Sequence, residues 1–271
     1  MPWRRGTEEV FTMHPPWILL RGLTREAAHW GDFVSAFENA LLGARVVAPD
    51  LPGNGLLHRA VSPATVRGMV EACRAQLAAH GLRPPFRVLA MSLGAMVATE
   101  WARVAPGELA GCVLINTSLR PFSPFYQRLR PASYLPVLRC VLPGASPEAI
   151  EQTVLRMTSN CAAAQASVVQ DWVAVRGQRP VSAPNALRQL LAAARYRAPV
   201  AAPLPAVSGV SRILLLASQN DRLVSSQCSQ AIAQAWGVPL RLHPFAGHDL
   251  PLDDAPWVIR QVRSWAEGVA A

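Results

Sequence analysis

The chain has 271 residues, 51% of them hydrophobic, enough for one sizeable core or a core with an added lid. Its net charge of +9 rests on 26 arginines without a single lysine, yet aromatic residues are few and no arginine-rich helix alternates with them, which speaks against a nucleic-acid partner. No apolar run approaches the roughly 20 residues of a membrane span, no long apolar stretch near the N-terminus makes a signal peptide, and the five scattered cysteines lack metal-ligand spacing. The expectation is a cytoplasmic protein with no metal and no organic cofactor.

Residues 16–21 read as a short buried strand stopped at Gly22, followed by a loop into a helix running to about Leu42. Residues 45–48 form a second strand, closed by the dense turn signal from Pro49 to Gly55. Over residues 65–80, Val66, Met69, Val70, Cys73 and Leu77 recur at helical spacing. Gly81 and the Pro84-Pro85 pair end that helix before an apolar run, Val88-Leu89-Ala90, which leads directly to Ser92. A helix-forming run opens at Leu93, and residues 112–115 give the next strand. Strands alternating with helices at these lengths predict a mostly parallel sheet covered by helices on both faces.

The alternation then breaks. From about Leu119 to Arg197 the pattern predicts only helices, at residues 131–142, 147–160, 162–176 and 185–197, with Ser146 as N-cap, Pro147 in the first turn and Gly177 as a stop. A proline-punctuated linker (Pro199, Pro203, Pro205) leads to a strand at 213–217, a last strand at 240–243 and a helix at about 255–267. The division expected is a core of residues 1–118 and 201–271, with an all-helical cap at 119–200.

Strand, sharp turn and helix around Ser92 is the setting in which a serine becomes a nucleophile, because the turn lifts its hydroxyl clear of the sheet over a helix N-terminus. Small residues must flank it; Gly94 satisfies this, and Ala90 stands where glycine is usual.

Taken together, Arg21-Gly22-Leu23 with Trp30 downstream, the turn Asp50-Leu51-Pro52-Gly53-Asn54-Gly55, the elbow at Ser92, and Asn220-Asp221 followed by Gly247-His248 occur in an order that resembles the α/β-hydrolase superfamily. The likeness is to its compact esterase-like members with a helical cap. It implies an α/β-hydrolase fold in which Ser92 is the nucleophile, His248 the base and Asp221 the acid that orients the histidine. His243 is the competing histidine, and Asp50 is read as a structural turn residue. Asp249, Asp253 and Asp254 are read as solvated or as capping the last helix. The backbone N–H groups of Leu23 and Leu93 are the oxyanion donors expected. Arg21 replaces the histidine usual in the family, either as a tether for its loop or as a positive charge beside the site.

The activity implied is hydrolysis of a small-molecule carboxylic ester through an acyl-enzyme. Thioesterases, acyltransferases, haloperoxidases and carbon–carbon lyases share this fold, and a non-catalytic binding protein is a further alternative. Trp30, Phe122, Phe125, Tyr126, Leu138, Val154, Met157 and Trp172 are the candidates to line a pocket for a medium or long acyl chain. Between Leu119 and Arg197 ten arginines face three acids, which is either a solvated helical surface or a dock for an acidic acyl-carrier protein.

Overall fold

A computed structural model describes residues 15–41, 44–141, 144–161 and 165–270. The expected helix ends at Leu42 and Leu142, the start at Ala162 and the N-terminal residues 1–14 lie outside the described residues. Six parallel strands form one sheet in the order β2-β1-β3-β4-β5-β6. They are β1 (Trp17–Leu20), β2 (Val46–Val47), β3 (Phe86–Met91), β4 (Leu109–Ile115), β5 (Ile213–Ser218) and β6 (Leu240–His243).

The continuous apolar runs of β1, β3, β4 and β5 follow from burial on both faces. Successive residues point to opposite sides. Ile18, Leu20, Val88, Ala90, Leu114 and Leu215 enter one core cluster, while Trp17, Leu19, Leu89, Met91, Val113 and Leu216 enter the other. The first cluster is closed by α2 (Val66–Ala79), α3 (Leu93–Val104) and α9 (Ser226–Trp236) through Met69, Cys73, Trp101 and Ile232. The second is closed by α1 (Phe33–Ala40), the short α10 (Leu250–Asp253) and α11 (Ala255–Ala270) through Phe37, Leu250, Val258 and Val262. This is an α/β-hydrolase architecture.

Helix α9 has no counterpart in the sequence reading. Its first turn is polar (Ser-Gln-Cys-Ser), and it is fixed instead by its ends: Ser225 accepts from Gln227 N–H, and Gly237 closes it at φ +64°.

Between β4 and β5 the chain runs through α4 (Phe125–Arg128), α5 (Tyr134–Val141), α6 (Pro147–Thr158), α7 (Gln165–Gln178) and α8 (Ala183–Arg195). Ser146 caps α6 as expected, accepting from Ala149 N–H, and Ser182 caps α8 in the same way on Asn185 N–H. Gly177 does not stop α7, which continues to Gln178. An added Cβ at Gly177 would meet nothing, and the stop comes from Pro180, which forces Arg179 out of helical geometry. The insertion leaves and rejoins the sheet at one neck, where Arg120 and Arg197 bridge in parallel and Ala198 N–H donates to Arg120 O at 2.7 Å. Among the described residues no helix is long and apolar enough to cross a membrane.

Candidate active site

Everything converges on the C-terminal edge of the sheet. β3 ends at Met91, and Ser92 turns the chain into α3 with φ +55° and ψ −118°, a conformation costly for any residue but glycine. The turn is held by Ser92 N–H donating to Ile115 O at 3.0 Å and by Thr117 Oγ1 donating to Ser92 O at 3.2 Å. Gly94 is obligatory here: a Cβ would lie 2.5 Å from Leu20 O and 2.6 Å from Arg21 O. Ala90 meets no such limit, since it lies within β3 as an ordinary core residue paired with Leu20.

Past the end of β5, Asp221 is 2% exposed and spends its two oxygens differently. Oδ1 accepts from Leu223 N–H at 2.8 Å and Val224 N–H at 2.9 Å, which locks the carboxylate plane. Oδ2 lies 2.7 Å from Nδ1 of His248, which follows β6. With Nδ1–H donating a hydrogen bond to the Asp221 carboxylate, the imidazole keeps Nε2 as an acceptor. His243, the competing histidine, is elsewhere, with Nε2 on Asp254 and its ring edge-on to Trp257.

The loop carrying His248 is pinned from both sides. Asn116, at φ +44° just beyond β4, donates Nδ2 to His248 O at 2.8 Å and accepts Ser218 N–H on Oδ1 at 2.8 Å. Asp253 accepts Gly247 N–H at 2.7 Å and Asn160 N–H at 2.9 Å, joining the end of α6 to this loop. Gly247 leaves room for that junction, since a Cβ would stand 2.6 Å from Thr158 O.

Ser92 and His248 line one cavity of about 350 Å³, without a hydrogen bond between their side chains. Such looseness is ordinary for a serine–histidine pair before a substrate tightens it. Its apolar wall includes Val137 and Val141 of α5, Ile150, Val154 and Met157 of α6, and Ala186 of α8. Leu23 lines it too, and its N–H meets no acceptor among the described residues. Leu93 is buried at the first position of α3, where a backbone N–H has no partner within the helix.

Of the other candidates, only Val154 and Met157 line this cavity. Phe122 packs edge-on to Trp236 of α9, and Phe125 and Tyr126 are exposed surface rings. Leu138 is half exposed, on the outside of α5. Trp30 and Trp172 border a separate cavity of about 420 Å³, drawn there by cation–π contacts: Arg21 lies 4.7 Å from the Trp30 ring and Arg25 3.9 Å from the Trp172 ring. Large apolar surface was the only signal these residues carried, and core, surface and stacking all use it.

Asp249 is not solvated. It is 3% exposed and takes the Arg21 guanidinium in a fork, Nη1 to Oδ1 at 3.2 Å and Nη2 to Oδ2 at 2.6 Å. Burial alone would raise its pKa, but the charge and hydrogen bonds of Arg21 outweigh burial and hold it below the ordinary value. Both readings of Arg21 therefore hold, since it tethers its loop to the histidine loop and also lines the cavity. Asp254 caps α11 by accepting Trp257 N–H at 2.9 Å. Asp50 accepts Ala27 N–H and Leu56 N–H, as a turn residue would. Among the described residues no group of three His, Cys, Asp or Glu side chains is placed to hold a metal ion.

A model of the alpha/beta hydrolase family matches residues 17–261. Among solved structures, a thermophilic esterase from Thermogutta terrifontis superposes with a TM-score of 0.72 at 23% identity, covering 95% of this chain and 91% of its own. The enol-lactonase of Burkholderia xenovorans LB400 gives 0.72 at 15% identity, over 94% and 92%. The 2-hydroxy-6-oxo-6-phenylhexa-2,4-dienoate hydrolase of Rhodococcus sp. strain RHA1 gives 0.73 at 17% identity, over 94% and 92%. At such identities these likenesses show the fold alone. No curated protein sequence matches the chain.

Proposed function

The chain belongs to the alpha/beta hydrolase family, and from that premise we propose that it is a serine hydrolase of carboxylic esters working through an acyl-enzyme. The observation that carries this is the strained Ser92 at a cavity it shares with His248, whose Nδ1 is 2.7 Å from Asp221.

In this reading His248 Nε2 takes the Ser92 proton as Oγ attacks the ester carbonyl. Asp221 holds the imidazole in the tautomer that can accept and stabilises the imidazolium formed. The developing oxyanion is met by the N–H groups of Leu93 and Leu23, with the positive end of α3 behind it. Collapse of the intermediate expels the alcohol with the proton returned by His248. Water, deprotonated by the same imidazole, then releases the acid and frees Ser92. Helices α5 to α8 serve as a cap that roofs the acyl chain. A fluorophosphonate probe should label the wild-type protein at Ser92 and leave the Ser92→Ala protein unlabelled. Labelling that persists in that variant, or none in wild type, would remove the assignment and favour a binding protein.

A second reading, thioester cleavage on an acidic acyl-carrier protein, is favoured by the outer faces of α5 and α8, where Leu135, Leu138, Leu187, Arg139 and Arg188 are exposed. It calls for turnover of a carrier-bound substrate that falls with salt while a small soluble ester does not respond.

A further inference from the structure

The cavity at Ser92 is mostly apolar, yet three guanidinium groups line it: Arg21, Arg25 and Arg176. Arg21 is matched by Asp249 alone. Arg25 and Arg176 share one carboxylate, that of Glu151, which is wholly buried on α6. One of its oxygens takes Arg25 Nη1 at 2.6 Å and the other takes Arg176 Nε at 2.5 Å. At Glu151 two cations meet one carboxylate, so this pair carries one positive charge more than its shared counter-ion, with Arg25 buried and Arg176 partly exposed, a costly arrangement unless something balances it.

The imbalance shows in hydrogen bonds as well as in charge. Arg25 is 7% exposed, and among the described residues its Nη1 reaches, beyond Glu151, only His29 Nε2, at 3.0 Å. His29 is no counter-ion, because burial first and the charges of Arg25 and Arg21 next hold its pKa well below 6.5 and keep it neutral. The Nη2 of Arg25 is buried with no partner among the described residues. The terminal nitrogens of Arg176, whose side chain is partly exposed, also meet no acceptor among them, as only its Nε is engaged. Arg179, the next cation along, is matched separately by Glu26. Burial pulls the Arg25 pKa down despite Glu151, with Arg21 and Arg176 adding repulsion. A tie between α6 and the loop after β1 would need only one arginine on Glu151. The second, Arg176, ties α7 to the same carboxylate and brings a further positive charge with it.

We propose that Arg25 and Arg176 bind a carboxylate carried by the substrate, so that the esters cleaved at Ser92 are those bearing a free acid group. This rests on the ester-hydrolase reading above. A carboxylate supplies the missing negative charge and offers two planar oxygens to guanidinium N–H groups that otherwise lack acceptors. The apolar stretch of Ile150, Val154 and Met157 on the same wall suits the methylenes that separate acid from ester. At about 350 Å³ the cavity is near the small end of ligand sites, roughly 300–1,000 Å³, which sets a short chain.

The test compares kcat/KM for two pairs of ester series. One pair has acid-ended acyl chains, as in p-nitrophenyl hydrogen adipate, against methyl-capped neutral chains of the same length. The other carries the acid, free or methyl-capped, on the alcohol side. Acid-bearing esters should win by about tenfold or more in one pair, as a charge-assisted hydrogen bond would give. That ratio should collapse toward unity in Arg176→Met, which leaves Glu151 paired with Arg25, and recover in part in Arg176→Lys. Thermal unfolding checks that both variants fold. Binding gives a readout apart from turnover: adipate should bind the Ser92→Ala protein by calorimetry, dimethyl adipate should not, and adding Arg176→Met should abolish adipate binding. Equal kcat/KM for acidic and neutral esters in both pairs, or no adipate binding, overturns the carboxylate site and leaves the ester-hydrolase reading standing. If no ester turns over while adipate still binds through Arg176, the carboxylate site stands and the hydrolase reading falls.

Discussion

The floor and the roof of the cavity are built by different forces. The floor consists of turns at the ends of β3, β5 and β6; the side chains of β3 and β5 are locked into the two core clusters, and β6 packs Leu240 against the edge of the first. The roof, helices α5 to α8, contributes only Ala192 of α8 to the buried members of either cluster among the described residues. It is fastened instead by polar ties: Glu151 to Arg25, Arg179 to Glu26, Gln189 to Thr24, Asn185 to Ser62 and Asp253 to Asn160. An apolar floor fixes position by packing, which tolerates little displacement. A polar roof fixes position by matching specific donors and acceptors, so single exchanges can loosen it.

The largest effect is expected in the floor, on rate and not on folding. Asp221→Asn keeps an oxygen for Leu223 N–H and Val224 N–H but no longer imposes the productive tautomer on His248. Ester turnover should fall by about 10⁴-fold, with unfolding little changed. A loss below tenfold would mean that another group orients His248, and the floor would not be the catalytic wall.

In the roof the largest effect should fall on stability. Glu151→Gln leaves the buried Arg25 and the partly exposed Arg176 without their shared counter-charge, which should cost about 3–5 kcal/mol in chemical denaturation. Removing the exposed Arg67–Glu71 pair on α2 should stay within about 0.5 kcal/mol, because solvent already screens it. If both changes cost the same, the roof is held by packing after all and the contrast with the floor collapses.

This difference also explains what could be read from the chain beforehand. The strands were legible because runs such as Ile-Leu-Leu-Leu-Ala carry burial in their composition, and Ser92 was legible because elbow chemistry is local: strand, serine, Gly94 and helix are adjacent in sequence. Asp221 and His248 came from their order along the chain, and the structure brings them to 2.7 Å. The roof pairs had no such signature. Gln189 and Thr24 are 165 residues apart and Arg25 and Glu151 are 126 apart, and neither partner looks unusual in its own neighbourhood. Asparagine just past a strand tolerates positive φ, as Asn116 does at +44°, but nothing local says that its amide holds the histidine loop. The aromatic candidates failed for a related reason: size reports that a side chain will be buried, not against what.

A pH series sharpens the contrast from the other side, because Arg21–Asp249 is a polar tie embedded in the floor. The folded-state pKa of Asp249 lies below the ordinary 3.8. Its stabilising contribution is therefore fully present above that value and is lost as pH falls through the folded-state pKa. Asp249→Asn should be less stable than wild type at neutral pH, and the gap should narrow in acid below about 3.8. It should be smaller than the Glu151→Gln loss, since Arg21 keeps its stacking on Trp30 and a contact from Nη1 to Met91 Sδ. A gap that does not change with pH would show that the carboxylate contributes shape and not charge.

The smallest effect is the one that links roof to floor. Gln189 on α8 is fully buried and uses its whole amide: Oε1 accepts Thr24 N–H at 2.9 Å, while Nε2 donates to Asn54 Oδ1 at 2.8 Å and Ser62 Oγ at 2.9 Å. Thr24 sits at φ +55°, immediately after the Leu23 N–H assigned to the oxyanion. Gln189 thus acts on the reaction only through that loop, as a positioning residue. Gln189→Ala should cost about 1–3 kcal/mol of stability by stranding buried polar groups. It should also lower kcat by roughly tenfold with KM nearly unchanged, less than the hundredfold or more expected for losing an oxyanion donor outright. Gln189→Glu keeps the acceptor for Thr24 N–H and should recover more kcat than stability. If Gln189→Ala lowers stability but leaves kcat intact, the roof does not set the oxyanion loop, and floor and roof meet only at the substrate.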